Sequence, residues 1–599
     1  MRYAWSMLMA MVMLTTGRQS VVAQTIVRQE IRNGVEVVEG VVWPNFRTMS
    51  LRLLRGSTSF NHDAEPLQVN YWNDGAKEQF GDAAWIARQG FIPMVFVIKD
   101  ANENTMCLEY LRLYRRVGGT RTLLQQVDAN RIINADQFYY YGGFGTNEIG
   151  SPAPGLGDTA LFEWELRFRD TFCSATHVSR YFNRVTVAQP LPDLSNWYRT
   201  DTHYHTRFTD NIFEFGGFMW MVRQSAEAVG LHVVLLTDHS TDIKTSLNEF
   251  GWNQLAAEAD SLSDETVLLI PGEELTLDSD QVNQSPGFED RIHLVASGLT
   301  RPLLAPEECC SQNSSGLLWT LRQGMDSVAV QNAVAMAAHP SRTFSVGYGG
   351  ELTKWSDTNF DIAAAYPQFA GSEFYNEKRT VFNNTVENDD LLYEYDWQAN
   401  PNWEDVWNEG LRDFMRLVQR YLSPMVRMFG LSGGSDAHGD LGRKYTNQYG
   451  ITSKVVNDNA IGKVHTLVYS PSGLNQAGIL DAIRNRHMVV SDGPAFTVWV
   501  DADGDGLTDG TIGGQYAFAS DATIRLQGSS LRSEHGQFSQ ARIYHLTPSA
   551  VETTTVVLSG TTLNLTLPGN EYPVSGLWSA VMVNVRTANG FQATTSPIY

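Results

Sequence analysis

The chain has 599 residues, of which 43% are hydrophobic, 11% aromatic and only 18% charged. That length suits roughly four domains of ~150 residues, or one large barrel with companions, and the apolar content can fill several cores, which argues against a chain dominated by disorder. The formal net charge of -22 argues against loose association with nucleic acid or anionic membranes, because phosphate backbones are drawn to basic surfaces, although bound cations reverse the sign locally.

At the N-terminus, Met1-Arg2 gives a positive start and residues 5–14 are apolar. Val21-Val22-Ala23 is a small-residue cleavage pattern before Gln24. This predicts a signal peptide over residues 1–23, and hence a mature protein in the periplasm or outside the cell. The competing reading is a buried N-terminal helix. The apolar stretch is far shorter than the ~20 residues a membrane-spanning helix needs, so no span is expected. Four cysteines fit an oxidising compartment without forming a disulfide scaffold. Cys107 and Cys173 are candidates for a pair, whereas a bridge between vicinal Cys309 and Cys310 would strain the backbone.

Residues 24–192 show short alternating segments broken by Gly, Asn and Asp, with 34–42, 91–98 and 161–168 as examples. Period-two alternation with turn residues between predicts an N-terminal β-sandwich-like domain, ending in the linker Ala188-Gln189-Pro190-Leu191-Pro192. Over residues 193–490 the character changes. Short apolar runs at 233–236, 267–270, 294–296 and 334–337 are separated by helix-like stretches such as 217–229. Apolar strands alternating with helices predict a mostly parallel sheet of the α/β class, buried on both faces. Three of these runs lead into Asp238-His239, Glu274 and His339, and reactive residues at strand carboxyl ends are the layout of an α/β-barrel active site. Residues 491–599 return to alternation, as at 497–500 and 563–567, and predict a C-terminal β-rich domain. No tandem repeat is present.

The residues most able to carry chemistry form one ordered series. Asp201-Thr202-His203-Tyr204-His205 opens it, followed by Asp210, Thr237-Asp238-His239, Gly272-Glu273-Glu274, His293, Ala338-His339-Pro340 and Ser435-Asp436-Ala437-His438. Only imidazoles and carboxylates appear, which suits several divalent cations. His203 and His205 are two apart, so on a strand they share a face and can grip one ion, and Asp436 and His438 repeat that spacing. Six of the 13 histidines belong to the series. His62, His177, His232, His465, His487, His535 and His545 lack such company and read as ordinary core or surface histidines.

These motifs resemble the PHP superfamily, the polymerase-and-histidinol-phosphatase family of metal-dependent phosphoesterases, over roughly residues 197–490. The resemblance implies a distorted (β/α)7 barrel, flanked here by the two β-sandwich-like regions. It also implies that His203, His205, Glu274 and Asp436 bind one metal, that Glu274, His293 and His339 bind a second with Glu274 bridging, and that Asp210, His239 and His438 bind a third. The family pattern PGxE favours Glu274 over Glu273 as the bridge. Asp238 is expected to orient a ligand histidine. The cofactors implied are two to three divalent transition metals, and N/O ligands suit Zn, Mn or Fe. Glu274 and Asp436 would serve catalysis as well as metal binding.

Two cations that share a water lower its pKa towards neutral and stabilise the oxyanion formed on phosphorus or on a carbonyl. With no convincing Gly-x-Ser-x-Gly elbow, metal-assisted hydrolysis of a small-molecule phosphoester is the expected function. A β-domain before the barrel and Ser491-Asp492-Gly493-Pro494 after it also resemble the CehA/McbA-type branch, whose members include aryl carbamate hydrolases. A carbamate or carboxylic ester is therefore the alternative, and a non-catalytic metal- or carbohydrate-binding surface protein the second. Arg342 is a candidate substrate clamp by bidentate contact, with Arg443 and Lys444 as weaker ones. Glu373-Phe374-Tyr375-Asn376 is expected to line the pocket floor. Segments 277–290 and 376–431, the latter with a helix-like 403–429, are candidate covers for the pocket. Separately, Asp501, Asp503, Asp505 and Asp509 alternate around a glycine turn and form a candidate calcium loop, although Ile512 stands where an EF-hand places its bidentate Glu.

Overall fold

The computed structural model describes the strands between residues 25 and 188 and most of residues 191–437 and 461–599. Stretches 1–24, 210–215, 280–290, 306–317, 341–343, 376–400 and 438–460 are among those outside it. The signal-peptide expectation and the candidate residues Asp210, Arg342, His438, Arg443 and Lys444 therefore lie outside the described residues.

Between residues 25 and 188 the described elements are all strands. Five of them form a sheet in the order Gln79–Asp82, Thr176–Ala188, Thr159–Arg169, Met106–Val117, Thr120–Ile133. Leu108, Leu111, Leu113, Phe162 and Phe168 are buried there. The alternating segments at 34–42, 91–98 and 161–168 match strands Val35–Val42, Phe91–Lys99 and Thr159–Arg169. Cys107 is disulfide-bonded, and its partner lies outside the described residues.

The central part alternates strand and helix. In chain order it contains β1 (Trp197–Tyr204), α1 (Met219–Val229), β2 (Val233–Leu236), α2 (Ser240–Thr245), α3 (Phe250–Leu262), β3 (Leu268–Asp278) and β4 (Arg291–Ser297). It continues with α4 (Leu321–Val330), β5 (Val334–Ala337), α5 (Asp357–Ala363), β6 (Phe369–Tyr375), α6 (Pro401–Arg420) and β7 (Gly430–Gly433). Local sequence explains these elements. β2 is four apolar residues, all buried, as a central strand covered on both faces must be. On α1, Met219, Val222, Ala226 and Val229 are buried at helical spacing and give it one apolar stripe. Thr320 with Gln323 starts α4 and Ser356 with Asn359 starts α5, each pair satisfying orphan N–H groups as a capping box.

The seven strands lie in the order β7-β6-β5-β4-β3-β2-β1. Their pairing differs from a closed, mostly parallel barrel in two ways. β4 runs antiparallel to both β3 and β5, while the other neighbours are parallel. The ladder is also open. Residues 197–200 of β1 are taken on their second edge by β8 (His465–Tyr469), which pairs antiparallel. Only the far end of β1 can then meet the chain leaving β7, through a single bridge between Tyr204 and Ala437. There the Asp436 N–H donates to the His203 carbonyl at 2.7 Å and the His205 N–H to the Ala437 carbonyl at 3.2 Å.

Past β8 the sheet continues without a break. After α7 (Gln476–Arg484) come β9 (Met488–Ser491), β10 (Ala495–Asp501), β11 (Gly510–Thr511), β12 (Thr523–Ser529) and β13 (Phe538–Leu546). β14 (Val551–Val557), β15 (Thr562–Pro568), β16 (Ala580–Thr587) and β17 (Gln592–Thr595) complete the chain. The order β1-β8-β9-β17-β16-β13-β14 makes one 13-stranded sheet with the seven, and β11-β10-β12-β15 forms a second sheet. The Tyr599 hydroxyl accepts from the Phe429 N–H at 2.9 Å, and the Leu431 N–H donates to Ser596 Oγ at 3.0 Å. The segment after β17 thus braces β7 and the residue before it. Among the described residues no helix is long and apolar enough to cross a membrane.

Two histidines outside the series sit behind β1. His232 Nδ1 accepts the Arg199 N–H at 3.1 Å, so it is structural, as its isolation in sequence suggests. His465 is buried, and burial, reinforced by the Arg199 charge, pushes its pKa down to about 3 from an ordinary 6.5. An unfolded chain therefore binds a proton there below pH 6.5 that the folded chain refuses. Stability should fall as pH drops, by about 3 kcal/mol between pH 6.5 and 4. Urea midpoints measured across that range should show a shallower slope in His465→Gln, and an unchanged slope would refute the assignment.

Candidate metal centre

The series converges on one carboxylate. Glu274 lies in β3, and its Oε2 is 3.4 Å from His203 Nε2, 3.3 Å from His205 Nε2 and 3.2 Å from His239 Nδ1. Its Oε1 is 2.7 Å from His293 Nδ1 and 3.2 Å from His339 Nε2. Asp436 Oδ1 adds 3.3 Å to His203 Nε2 and 3.0 Å to His205 Nε2. Two groups result that could each hold an ion: His203, His205, Glu274 and Asp436, and Glu274, His293 and His339. Of the three residues assigned to a third ion, only His239 is described, and it stands against the first group with its ring centroid 4.5 Å from that of His205.

Neighbouring hydrogen bonds fix which ring nitrogens face inward. His203 Nδ1 lies 3.2 and 3.3 Å from the two oxygens of Glu373 at the end of β6. A carboxylate only accepts, so the His203 proton is on Nδ1. His205 Nδ1 lies 3.0 Å from Thr209 Oγ1, whose hydroxyl donates to Asp238 Oδ1 at 2.9 Å, so that proton is on Nδ1 too. The two Nε2 atoms then face each other at 3.1 Å, beside two carboxylate oxygens. Such an arrangement repels unless a proton or a metal cation lies among the donors, and the converging N/O set fits a metal.

The surrounding charges agree. Burial disfavours a charged His203, but the carboxylates of Asp436, Glu373 and Glu274 outweigh it and hold the pKa well above the ordinary value. Burial would raise Glu274, yet His293 and His203 hold it well below the carboxylate range. For His339 burial wins and the pKa falls. Glu273 points elsewhere and accepts the Leu303 N–H at 3.1 Å. Burial raises its pKa to about 8 against that bond, with Asp238 adding to the rise. A protonated Glu273 suits a flanking role, and Glu274 alone occupies the bridging position.

The loops bearing the ligands are held by further carboxylates. Asp238 accepts from the N–H groups of Thr206 and Thr209 at 2.6 and 2.9 Å and from the Thr206 hydroxyl at 2.7 Å. It therefore fixes the turn after β1 and reaches His205 through Thr209. Asp201 accepts the Ser435 N–H at 2.9 Å and its hydroxyl at 2.6 Å, tying the first motif to the last. Burial lifts its pKa to about 6 even with those bonds opposing. Gly434 makes the approach possible, since a Cβ there would lie 2.6 Å from the His203 nitrogen. His339 and Asp436 have φ of 29° and 48°. Non-glycine residues hold such values only where the surroundings over-determine them, commonly at functional sites.

Asp201 and Ser435 lie within the motif series and Glu373 within the segment expected to line the pocket, but none has a tying role by sequence, and Thr209 lies outside the motifs. Glu373 had the strongest signal, a carboxylate near the end of an apolar strand within a segment expected to line the pocket. Thr209 had none, because a threonine four residues after a histidine is unremarkable. Replacing Asp238 by Ala should loosen metal about 10- to 100-fold, as loss of an outer hydrogen-bonding partner typically does. Competition against a chelator checks this, and wild-type affinity would contradict it. The helix-like stretch 403–429 is α6 only over Pro401–Arg420. Trp407 is fully buried against Phe374 and Tyr375, so this helix is core packing rather than a free cover. In the acidic loop, Asp501, Asp503 and Asp509 bring carboxylate oxygens within 4.8 Å of one another. Asp505 does not join them, and its Oδ1 accepts the Leu507 N–H at 2.7 Å.

No protein-family model matches the chain, and no curated protein sequence matches it either. Among solved structures it is similar to a two-domain protein containing a predicted PHP-like metal-dependent phosphoesterase from Bacteroides vulgatus. That similarity has 16% identity and a TM-score of 0.31, covering 68% of this chain and 97% of the other. It is also similar to an amidohydrolase from Chromobacterium violaceum solved with bound sulfate and no metal, at 14% identity and a TM-score of 0.24, covering 40% of this chain and 87% of the other. Likenesses of this strength leave the assignment to the side chains themselves.

Proposed function

We propose that this chain is a secreted metal-dependent hydrolase of the PHP type acting on phosphoester bonds of small molecules. The observation that carries the reading is the division of Glu274, with Oε2 among His203, His205 and His239 and Oε1 against His293 and His339. A pair of divalent cations at such a site supplies an activated water and stabilises the developing oxyanion. His203, His205, Glu274 and Asp436 would hold one ion, and Glu274, His293 and His339 the other. Glu373 and the Thr209–Asp238 pair hold the Nδ1 atoms of His203 and His205 and so aim each Nε2 inward. The donors are buried apart from His293, whose side chain is 18% exposed, so substrate would approach on that side. A third ion at Asp210, His239 and His438, and a substrate clamp at Arg342, belong to the same proposal. So does the (β/α)7 reading of the seven central strands. Secretion is supported by the residues 1–23 leader pattern and the Cys107 disulfide, which suits an oxidising compartment.

Phosphoester is preferred to carbamate or carboxylic ester because phosphoester hydrolysis is the commonest activity of the superfamily the motifs resemble. Protein reconstituted with Mn or Zn should be tested on aryl phosphate mono- and diesters beside an aryl carbamate and a simple aryl ester. Faster turnover of a phosphate supports the reading, and turnover confined to the carbamate or ester would move it to the CehA/McbA type. Metal bound with no turnover of any would favour a metal-binding surface protein.

We also propose that Asp501, Asp503 and Asp509 bind calcium. Binding to the folded state alone should raise the thermal midpoint as calcium is added, and an unchanged midpoint would contradict it.

A further inference from the structure

Glu373 touches both halves of the centre without belonging to either ligand group. Its carboxylate accepts from His203 Nδ1, and its Oε2 also accepts the His339 backbone N–H at 3.0 Å. His203 lies in the first ligand group and His339 in the second. The carboxylate is buried, at 1% exposure, and stands on β6, the strand between the ones that lead to His339 and Asp436. His339 also holds a positive φ of 29°, so its turn needs an external tie to keep the imidazole aimed at Glu274. We infer that Glu373 is a positioning residue shared by the two metal sites: it fixes the His203 tautomer for the first ion and pins the His339 turn for the second.

This inference rests on the two-metal reading. It predicts that one side chain in contact with neither ion controls the affinity of both. The substitutions separate acceptor geometry from charge. Glu373→Ala removes both. Glu373→Gln keeps one acceptor oxygen, and placed where Oε2 stands it still takes both the His203 Nδ1 proton and the His339 N–H, because both contacts meet at that one atom. Glu373→Gln should therefore rescue both sites relative to Glu373→Ala.

The experiment is zinc competition against a chelator, with bound zinc counted per chain, for wild type, Glu373→Ala and Glu373→Gln. Circular dichroism of each metal-free protein serves as the folding control. Glu373→Ala is expected to lose about 10- to 100-fold in affinity at both sites. Glu373→Gln should stay near wild type at both sites. Wild-type affinity in Glu373→Ala would overturn the inference, and so would a loss confined to one site in that variant. Should Glu373→Ala fail to fold, a loss of about tenfold or more in Glu373→Gln would overturn it, and near-wild-type affinity at both sites would support it. Wild-type protein holding no zinc would overturn the hydrolase reading and this inference together. Two tightly held ions in Glu373→Ala would overturn this inference alone.

Discussion

Glu274→Ala is expected to empty both metal sites at once and reduce turnover to background. Each of its oxygens faces a different set of imidazoles, and all five contacts lie between 2.7 and 3.4 Å. Removing the carboxylate deletes a ligand from each ion and the negative charge that makes two cations tolerable side by side. The affinity loss should exceed the ~10- to 100-fold that follows from removing an outer partner. His339→Ala should behave differently, because it touches only Oε1 and belongs only to the second group. Metal analysis of the purified variants should find none in Glu274→Ala and about one ion fewer in His339→Ala. Equal metal content in the two variants would mean that Glu274 is not the bridge.

The second large effect is on pH. Without metal, the His203 pKa sits well above the ordinary 6.5, because Asp436, Glu373 and Glu274 outweigh its burial. A metal must displace that proton. Affinity should therefore fall as pH drops through the neutral range, by about tenfold per pH unit for each proton released. Glu274, held below the usual carboxylate range, stays ionised throughout and adds no second step. Chelator competition at pH 6 and pH 8 measures the slope. His203→Ala should flatten it while weakening the first site, whereas a pH-independent wild type would show that His203 takes no part in metal binding.

Several features were legible in the residue order for physical reasons. A strand buried on both faces is a short apolar run, so residues 233–236 and 334–337 coincide with β2 and β5. His239 and His339 follow such runs at strand ends, whereas Glu274, read with them, lies inside β3, which continues to Asp278. What failed were properties of pairing. Nothing in residues 291–297 announces that β4 reverses direction, and nothing in β8 announces that it occupies the edge of β1 and leaves the ladder open. The supporting residues were hidden for a similar reason. Asp201 meets Ser435 across 234 positions and His203 meets Glu373 across 170, and no periodicity encodes a contact of that kind. Asp505 was grouped with its neighbours by alternation, but only Asp501, Asp503 and Asp509 converge, and alternation does not encode which side chains a loop brings together.

The most direct test of a Glu274-bridged hydrolytic centre is a titration of metal-free protein with manganese while hydrolysis of an aryl phosphate is followed. Turnover should be absent at the start, rise as both sites fill, and disappear again on chelation. Undiminished turnover in rigorously metal-free protein would contradict it, as would full occupancy of both sites without hydrolysis.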